Sequence, residues 1–537
     1  MPREAKQPKI SPSCSYHQGG RVYHVDVQGI QESLIQWREF YHGERYEITA
    51  SQTFRYLSSA YPGRDLWRNQ IAPGAFHNSR ERLKCDPPKC HPQTRVAVIQ
   101  AIIDWIQDGQ KTSFIMWLNG PAGAGKSAIV QEIAELCYKL GYLAASFFWS
   151  RSAVGRNNED RLIASLAYQL LTAIPQLRCP IEEVVETDRY IFTRDLATQM
   201  ESLIIRPWKK LFESDQKRPL DSQTPKIIIL DGLDECGTEE AQQSILKVIA
   251  DSLQKFPIPL CFLIASRPEK VIRHSFNDQP LLEITSPLVL DEKYHPDDDI
   301  KLFLVESFES VKRTHELRSL LPRDWPTHRN IDHLVRKSSG QFIYAATVVK
   351  FVRSPRGRPK EQLDIILGIT AAGAAAPFAE LDALYSHIFS LVLHDHLPRA
   401  LEILGFSMLV GADYSEADRL TVRQIETFLS YAHGDLQLNL IDLHSVLHVP
   451  GVKAEDDEDG NNDGDDNNND NKDGDDDEDH DDELRFLHAS LQDFLFDPSR
   501  SKDFYIDKSS AQARIAQHFL RYIREYSPDT EDRYLCK

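Results

Sequence analysis

The sequence predicts an α/β fold with a three-layer, parallel-sheet core, followed by chain that is mainly helical. Short apolar runs alternate with amphipathic stretches, which is typical of a parallel sheet covered by helices on both faces. Beyond about residue 295 the apolar residues recur at helical spacing instead. The apolar runs are SFIMWL (113–118), YLAASFFWS (142–150), KIIILD (226–231), PLCFLIASR (259–267) and LLEITSPLVL (281–290).

Helices are predicted between and after these strands. In the core, helical periodicity is found in residues 96–106, 127–140, 161–174 and 239–256. The candidate helices of the second part are 298–310, 330–352, 378–393 and 398–410.

The composition fits a packed globular protein, because 41% of the residues are hydrophobic and 27% are charged. Residues 455–483 hold 18 acidic residues and one lysine, a charge of −17, which leaves only −2 of the total of −19 for the other residues. Overall charge therefore gives no support to nucleic-acid binding. No apolar run reaches the roughly 18 residues that span a bilayer. The scattered cysteines fit reduced thiols, so we expect a cytoplasmic protein.

A glycine-rich motif, GPAGAGKS, follows the first predicted strand and opens the next predicted helix. It matches the P-loop pattern G-x-x-x-x-G-K-[ST] in full. The glycines let successive backbone N–H groups face one concavity, and the helix N-terminus adds partial positive charge for a polyphosphate. We expect Lys126 to reach the β- and γ-phosphates and the Ser127 hydroxyl to bind Mg²⁺. The residues predicted to hold ATP or ADP are Gly120, Pro121, Ala122, Gly123, Ala124, Gly125, Lys126 and Ser127.

A second motif, KIIILDGLDEC (226–236), places acidic residues at the end of a buried strand. Asp231 lies where the chain leaves the sheet and is predicted to face the Mg²⁺ held by Ser127, the role of a Walker B aspartate. Asp234 and Glu235 follow one turn later. One of them, with Glu235 the stronger candidate, is predicted to position or deprotonate the attacking water.

Arg267 follows directly after the strand LCFLIAS. Ligands of doubly wound sheets meet the carboxyl ends of the strands, so an arginine at this position can sense a γ-phosphate. An ordinary loop arginine that pairs with an acid is the alternative.

Together these motifs resemble the NACHT class of signal-transduction NTPases, a STAND and NLR-like group, and most closely its fungal members with a nephrocystin 3-like P-loop region. The form DGLDE is more specific to this class than the P-loop alone. The stretches that carry the resemblance are PPKCHPQTRVAVIQAIIDWI, WLNGPAGAGKSAIVQEIAELC, ASFFWSR, RLIASLAYQL, IIILDGLDEC, FLIASRPE, SSGQFIYAATVVKFV, LDALYSHIF and FLHASLQDFLFDPSRS.

The resemblance implies that a helical domain and a winged-helix domain follow the P-loop NTPase core. In this family a winged-helix histidine contacts the phosphate of ADP in the inactive state. The matching motif is FLHASLQDFL, so the resemblance implies this role for His488, whereas the residues alone favour a buried core histidine. The predicted parts are a disordered lead (1–25), an N-terminal helical segment (26–90), the NACHT core (91–295), a helical domain (296–377), a winged-helix domain (378–450 and 484–500), an acidic disordered insertion (451–483) and a C-terminal helical tail (501–537).

The predicted function is a nucleotide-controlled switch with slow ATP hydrolysis, in signalling of the innate-immunity or heterokaryon-incompatibility kind. ADP would hold a closed monomer, and exchange for ATP would expose a surface for homo-oligomerisation. Two alternatives stay open, a turnover ATPase or kinase and an interaction scaffold that binds nucleotide for stability. A kinase needs a basic lid, and no arginine-rich lid segment is apparent. GTP also stays open, although no N-K-x-D motif follows the acidic strand end.

Overall fold

The structure is a computed structural model, and it describes residues 13–18, 21–26, 67, 69–80, 89–151, 153, 155–214, 226–256, 260–355, 357–369, 378–410, 421–450 and 484–526. The predictions made for 27–66, for the acidic insertion and for 527–537 lie outside these residues.

An antiparallel strand pair lies within the segment that we expected to be a disordered lead. In it β1 (Ser13–Gln18) runs against β2 (Arg21–Asp26), with Gln18 opposite Arg21. The sequence signal is Gly-Gly between two segments with alternating residue types, which is the pattern of a two-residue hairpin. The structure thus differs from our expectation for this segment.

A five-stranded parallel sheet forms the core and confirms the predicted α/β class. Its strand order is β4–β5–β6–β3–β7, and every neighbouring pair is parallel. The strands are β3 (Ile115–Asn119), β4 (Leu143–Phe148), β5 (Ile227–Asp231), β6 (Cys261–Ser266) and β7 (Thr285–Val289).

Helices cover both faces of this sheet. Alternate residues of β3 enter different apolar clusters, with Ile115 and Trp117 in one and Met116 and Leu118 in the other, because successive side chains of a strand point to opposite faces. A π-helical turn, Glu201–Ile205, joins α5 to α6. The helices are α1 (Val96–Gln107), α2 (Lys126–Lys139), α3 (Leu162–Ala173), α4 (Arg178–Thr187), α5 (Leu196–Met200), α6 (Arg206–Ser214), α7 (Glu239–Leu253), α8 (Lys270–Asn277) and α9 (Leu281–Ile284).

Where the structure describes the second part of the chain, it is mainly helical and contains one short antiparallel ribbon. The ribbon pairs β8 (Leu447–His448) with β9 (Arg485–Phe486). The helices are α10 (Pro296–Thr314), α11 (His328–Ser338), α12 (Phe342–Arg353), α13 (Pro359–Gly368), α14 (Ala379–Ser390), α15 (Leu397–Val410), α16 (Val422–Leu429), α17 (Asp435–Leu440), α18 (Ser490–Leu495), α19 (Pro498–Ser501) and α20 (Lys508–Tyr526).

One apolar core runs through this whole helical part, from Ile300 in α10 to Ala511 in α20. The helical and winged-helix domains that we predicted separately therefore share a core, and the winged-helix assignment stays a prediction. Among the helices in the described part of the chain, none is long and apolar enough to cross a bilayer.

The stretch 330–352, a single helical candidate in the sequence, is two helices in the structure. α11 ends before Ser339 and Gly340, whose φ angles of 46° and 75° are left-handed, and α12 starts at Phe342. Glycine tolerates this conformation without a Cβ clash and commonly ends helices. The break brings the start of α12 against the P-loop.

Candidate functional site

The P-loop lies between β3, which ends at Asn119, and α2, which begins at Lys126. Gly123 and Gly125 have φ angles of 75° and 89°, a region that residues with a Cβ rarely adopt. The two glycines therefore allow the turn that aims backbone N–H groups into one concavity, as expected for a phosphate cradle. Ser127 follows in the first turn of α2 and is half-buried.

Lys126 is bonded to its own loop. Its ammonium group donates to the carbonyl oxygens of Gly120 at 2.8 Å and Pro121 at 2.9 Å. Desolvation lowers the pKa of Lys126 to about 8, against the opposing charge of Asp234. A desolvated cation at a helix N-terminus is suited to an anionic ligand.

The structure brings the predicted acidic residues next to this lysine. Asp231 is buried at the end of β5, opposite Ala265 of β6. In the register of the sheet, Asn119 of β3 lies opposite Ser266 of β6. The carboxyl-terminal edge of the sheet therefore carries the P-loop, Arg267 and Asp231 together. The carboxylates of Asp231, Asp234 and Glu235 act electrostatically on Lys126.

Asp234 and Glu235 share one 3₁₀ turn but differ in their contacts. Asp234 is buried and accepts the backbone N–H of Arg267 at 2.9 Å, and its other oxygen lies 3.1 Å from the Nε of that arginine. Glu235 accepts the backbone N–H of Arg151 at 3.3 Å. Burial and the neighbouring Asp234 raise the pKa of Glu235 to about 7. Asp234 thus holds an arginine, and the role of Glu235 as a general base stays a prediction.

Arg267 stands at the end of β6, in the middle of the sheet. Its guanidinium contacts Asp234 from the core and Asp493 from α18, the latter at 2.5 Å from Nη1. The alternative of an arginine paired with acids describes its contacts here. The charge of Arg267 acts on Lys126, so the two cations lie near each other. The role of Arg267 as a γ-phosphate sensor stays a prediction.

Two residues that contact the candidate side chains of this site, Arg151 and Asp493, were not among the sequence candidates. Asp493 accepts hydrogen bonds from Arg151 at 2.9 Å and from Arg267, although Arg151 is 342 positions away along the chain. Arg151 comes three residues after β4 and Arg267 directly after β6, so the place of Arg151 close to a strand end was a usable signal. Asp493 lies in the motif FLHASLQDFL, but nothing in its local sequence indicates a partner.

His488 lies near the P-loop, since the charge of Lys126 acts on it. Its Nδ1 accepts the backbone N–H of Ser490 at 3.0 Å and lies 2.7 Å from the Ser490 hydroxyl, which is 2.8 Å from the Tyr385 hydroxyl. Because a backbone N–H can only donate, the neutral ring carries its proton on Nε2. Desolvation, then the charges of Arg267 and Lys126, lower the pKa of His488 to about 4. His488 is therefore a neutral Nε2–H donor.

Arg95 ties the P-loop to the helical part of the chain. Its guanidinium donates to the carbonyl of Ala124 at 2.8 Å, and its backbone N–H donates to Asp299 of α10 at 3.0 Å. The same guanidinium lies 4.8 Å from the ring centre of Phe342. The start of α12 also reaches the loop directly, since the N–H of Ile343 donates to the carbonyl of Gly123 at 3.4 Å.

A P-loop between a buried strand and a helix, faced by strand-end carboxylates, defines this core as a nucleotide-binding P-loop NTPase. Residues 98–267 match the family model described as nephrocystin 3, N-terminal. The match confirms the nephrocystin 3-like P-loop region that the motifs predicted.

The fold has similar solved structures. One is a signal transduction ATPase with numerous domains (STAND) that carries a tetratricopeptide repeat sensor, from Pyrococcus horikoshii, at 10% identity, TM-score 0.38, over 83% of this chain and 47% of that one. Another is Drosophila ORC bound to DNA, at 12% identity, TM-score 0.33, over 68% of this chain and 89% of that one. The chain thus spans less than half the length of the Pyrococcus protein. A comparison with curated proteins gave no match.

Proposed function

We propose that this protein is a switch in which adenine nucleotide controls whether the helical part of the chain stays docked on the NTPase core. The observation that carries the proposal is the cluster at the P-loop. Lys126 and Arg267 come from the core, and His488 and Asp493 come from the C-terminal part. A ligand at the P-loop would therefore touch groups that belong to both parts.

The residues present fit a nucleoside polyphosphate. The turns at Gly123 and Gly125 make room for phosphate oxygens, and Lys126 is a desolvated cation at the same place. Ser127 and Asp231 supply the hydroxyl and carboxylate oxygens that Mg²⁺ prefers, and the ion would neutralise phosphate charge. His488 would donate its Nε2–H to a phosphate oxygen of ADP.

Slow hydrolysis follows from the state of two residues. Glu235, with a pKa of about 7, is partly protonated at neutral pH, so only part of the population can accept a proton from the attacking water. Arg267, the proposed γ-phosphate sensor, is bonded to Asp493 in this closed arrangement. Hydrolysis would return the protein to the ADP form, and the open ATP form would expose a surface for homo-oligomers.

Such a switch needs a ligand that binds the two forms with different affinity. A shift from 1:99 to 99:1 requires a difference of roughly 5.5 kcal/mol between the two forms. The contacts that can differ are those made to His488 and Arg267, because both lie where the docked part meets the core.

The test is the identity and the affinity of the nucleotide. Mass spectrometry of the purified protein is expected to find retained ADP, and calorimetry is expected to show that Lys126→Ala abolishes ADP binding. Unchanged binding by this variant would remove the proposal. Turnover of many per second with a small acceptor would favour a kinase, retained GDP would favour a guanine nucleotide, and unaltered assembly in Glu235→Gln would favour a scaffold.

A further inference from the structure

Two arginines from the ends of different strands converge on one carboxylate of the C-terminal part. Arg151 Nη1 lies 2.9 Å from one oxygen of Asp493, and Arg267 Nη1 lies 2.5 Å from the other. The side chain of Arg151 is 30% exposed, that of Arg267 17% and that of Asp493 21%. The pKa of Asp493 is lowered although burial opposes this, because Arg267 and Arg151 stabilise its charged form.

The charges around these arginines are already matched by carboxylates. Asp234 lies 3.1 Å from Arg267 and 3.7 Å from Arg151, and Glu269 lies 3.8 Å from Arg151. With Asp493, three carboxylates thus face two guanidinium groups. Arg267 offers Nη1 to Asp493 and Nε to Asp234, so an anion that binds at Nη1 would lie directly beside the Asp493 carboxylate.

The third phosphate of ATP is such an anion. It carries negative charge and accepts hydrogen bonds from a guanidinium as a carboxylate does. A γ-phosphate that binds Arg267 at Nη1 would therefore compete with Asp493 for that nitrogen, and the two anions would repel each other. A nucleoside diphosphate has no group at that position and leaves the contact intact.

We infer that Asp493 is a specificity-determining residue of the closed form: by occupying Arg267, its carboxylate makes that form select a nucleoside diphosphate over a triphosphate. The inference rests on the proposed function, since it requires a nucleotide at the P-loop. Asp493 would not contact the diphosphate itself, but it would set the preference of the closed form for a nucleoside diphosphate over a triphosphate.

Asp493→Asn tests this choice because it keeps the shape of the side chain and removes its charge. The measured quantity is the ratio of the Kd of a non-hydrolysable ATP analogue to the Kd of ADP, from calorimetry on the full chain with Mg²⁺. We expect this ratio to fall at least tenfold in Asp493→Asn and to stay within twofold of the wild type in Asp493→Glu.

Asp382→Asn is the matched control. It breaks another ion pair of the C-terminal part, in which Arg500 Nη2 lies 2.7 Å from Asp382 and the side chains are 19% and 16% exposed. Arg500 also stacks on Phe378, so the pair belongs to the packing of α14 and α19. We expect this variant to lower the melting temperature and leave the ratio of the two Kd values unchanged.

The double variant Arg151→Gln/Asp493→Asn removes one charge of each sign and serves if the single variant does not fold. Its ratio is also expected to fall, because Arg267 is released in both. An unchanged ratio in a folded variant that still binds ADP would overturn the role of Asp493 and leave the nucleotide site intact. A wild-type protein that binds no ADP, or a Lys126→Ala variant that binds it normally, would instead overturn the proposed function.

Discussion

The ammonium group of Lys126 donates a 2.8 Å hydrogen bond to the carbonyl oxygen of Gly120, so the lysine of the P-loop is held by the loop that it serves. The cation is desolvated there and its pKa is lowered to about 8. Keeping a charge in such a place costs stability in the nucleotide-free protein.

Lys126→Met should therefore abolish nucleotide binding without lowering the melting temperature of the nucleotide-free protein. The apolar side chain removes the desolvated charge but cannot attract phosphate. Calorimetry with ADP and thermal unfolding check the two halves. Lys360→Met is the control, because Lys360 lies in an exposed pair with Asp364 and should change neither quantity. A large loss of stability in Lys126→Met would contradict this view of the lysine.

Hydrolysis should depend on pH through Glu235. Its pKa is raised to about 7 by burial and by Asp234, and a general base acts in its deprotonated form. The rate of phosphate release should rise from pH 6 to pH 8 and then level off. Glu235→Gln should lose on the order of a hundredfold or more of the rate. Glu239→Gln, in the exposed first turn of α7, is the control, and a flat pH profile in the wild type would argue against Glu235.

Stability should fall in acid because of His488. Its folded pKa of about 4 is below the ordinary value of 6.5, so the unfolded chain binds the proton more tightly. The stability that neutral His488 retains above pH 6.5 is therefore lost as the pH falls toward 4, by something on the order of 2–3 kcal/mol.

Melting temperatures between pH 7.5 and pH 5 test this expectation. His488→Gln should show a flatter profile than the wild type, because it removes a desolvated titratable group on which the charges of Arg267 and Lys126 act. His394→Gln should keep the wild-type profile, since His394 is fully exposed. Identical profiles for His488→Gln and the wild type would mean that His488 is not desolvated beside these cations.

Gly123→Ala should separate the P-loop from α12. A Cβ at Gly123 would lie 2.2 Å from Cγ2 of Ile343, whereas a Cβ at Gly125 would meet nothing within 4 Å. Both positions have positive φ, so alanine is strained at each by roughly 1 kcal/mol. Only Gly123→Ala adds a clash, worth about 1–3 kcal/mol in a packed site.

The measurement is the free energy of unfolding of the nucleotide-free variants. Gly123→Ala should be less stable than Gly125→Ala, and Ile343→Ala added to Gly123→Ala should recover part of the difference. Equal losses for the two glycine variants would show that the P-loop does not depend on its contact with α12.

Local sequence patterns were sufficient for the residues whose spacing the chemistry fixes. Asp231 ends a buried strand, the P-loop and Arg267 each follow one, and parallel strands bring their carboxyl ends to one edge of the sheet. The pairing of Asp493 with Arg151 depends instead on how the helical part docks on the core. No pattern near Asp493 contains that information, because its partner lies 342 positions away.

Helix boundaries show the same limit. Periodicity alone merged α11 and α12, since apolar residues recur at helical spacing on both sides of Gly340. The dipeptide Ser339–Gly340 is a helix-ending signal, but its importance becomes clear only when the start of α12 is seen against Gly123. The shared apolar core of the helical part could not be predicted either, because the periodicity of one helix does not indicate which other helix packs against it.

The β8–β9 ribbon has a consequence for the acidic insertion. Leu447 lies opposite Phe486 and His448 opposite Arg485, so the chain segments on either side of residues 449–484 are paired with each other, two residues before His488. The entropic cost of holding two chain segments together grows only with the logarithm of the number of residues between them. Replacing the 36 residues 449–484 by four would therefore increase the free energy of unfolding by only roughly 2 kcal/mol. We therefore expect expansion or contraction of the acidic tract to alter the charge of the protein and to leave the β8–β9 register next to His488 in place.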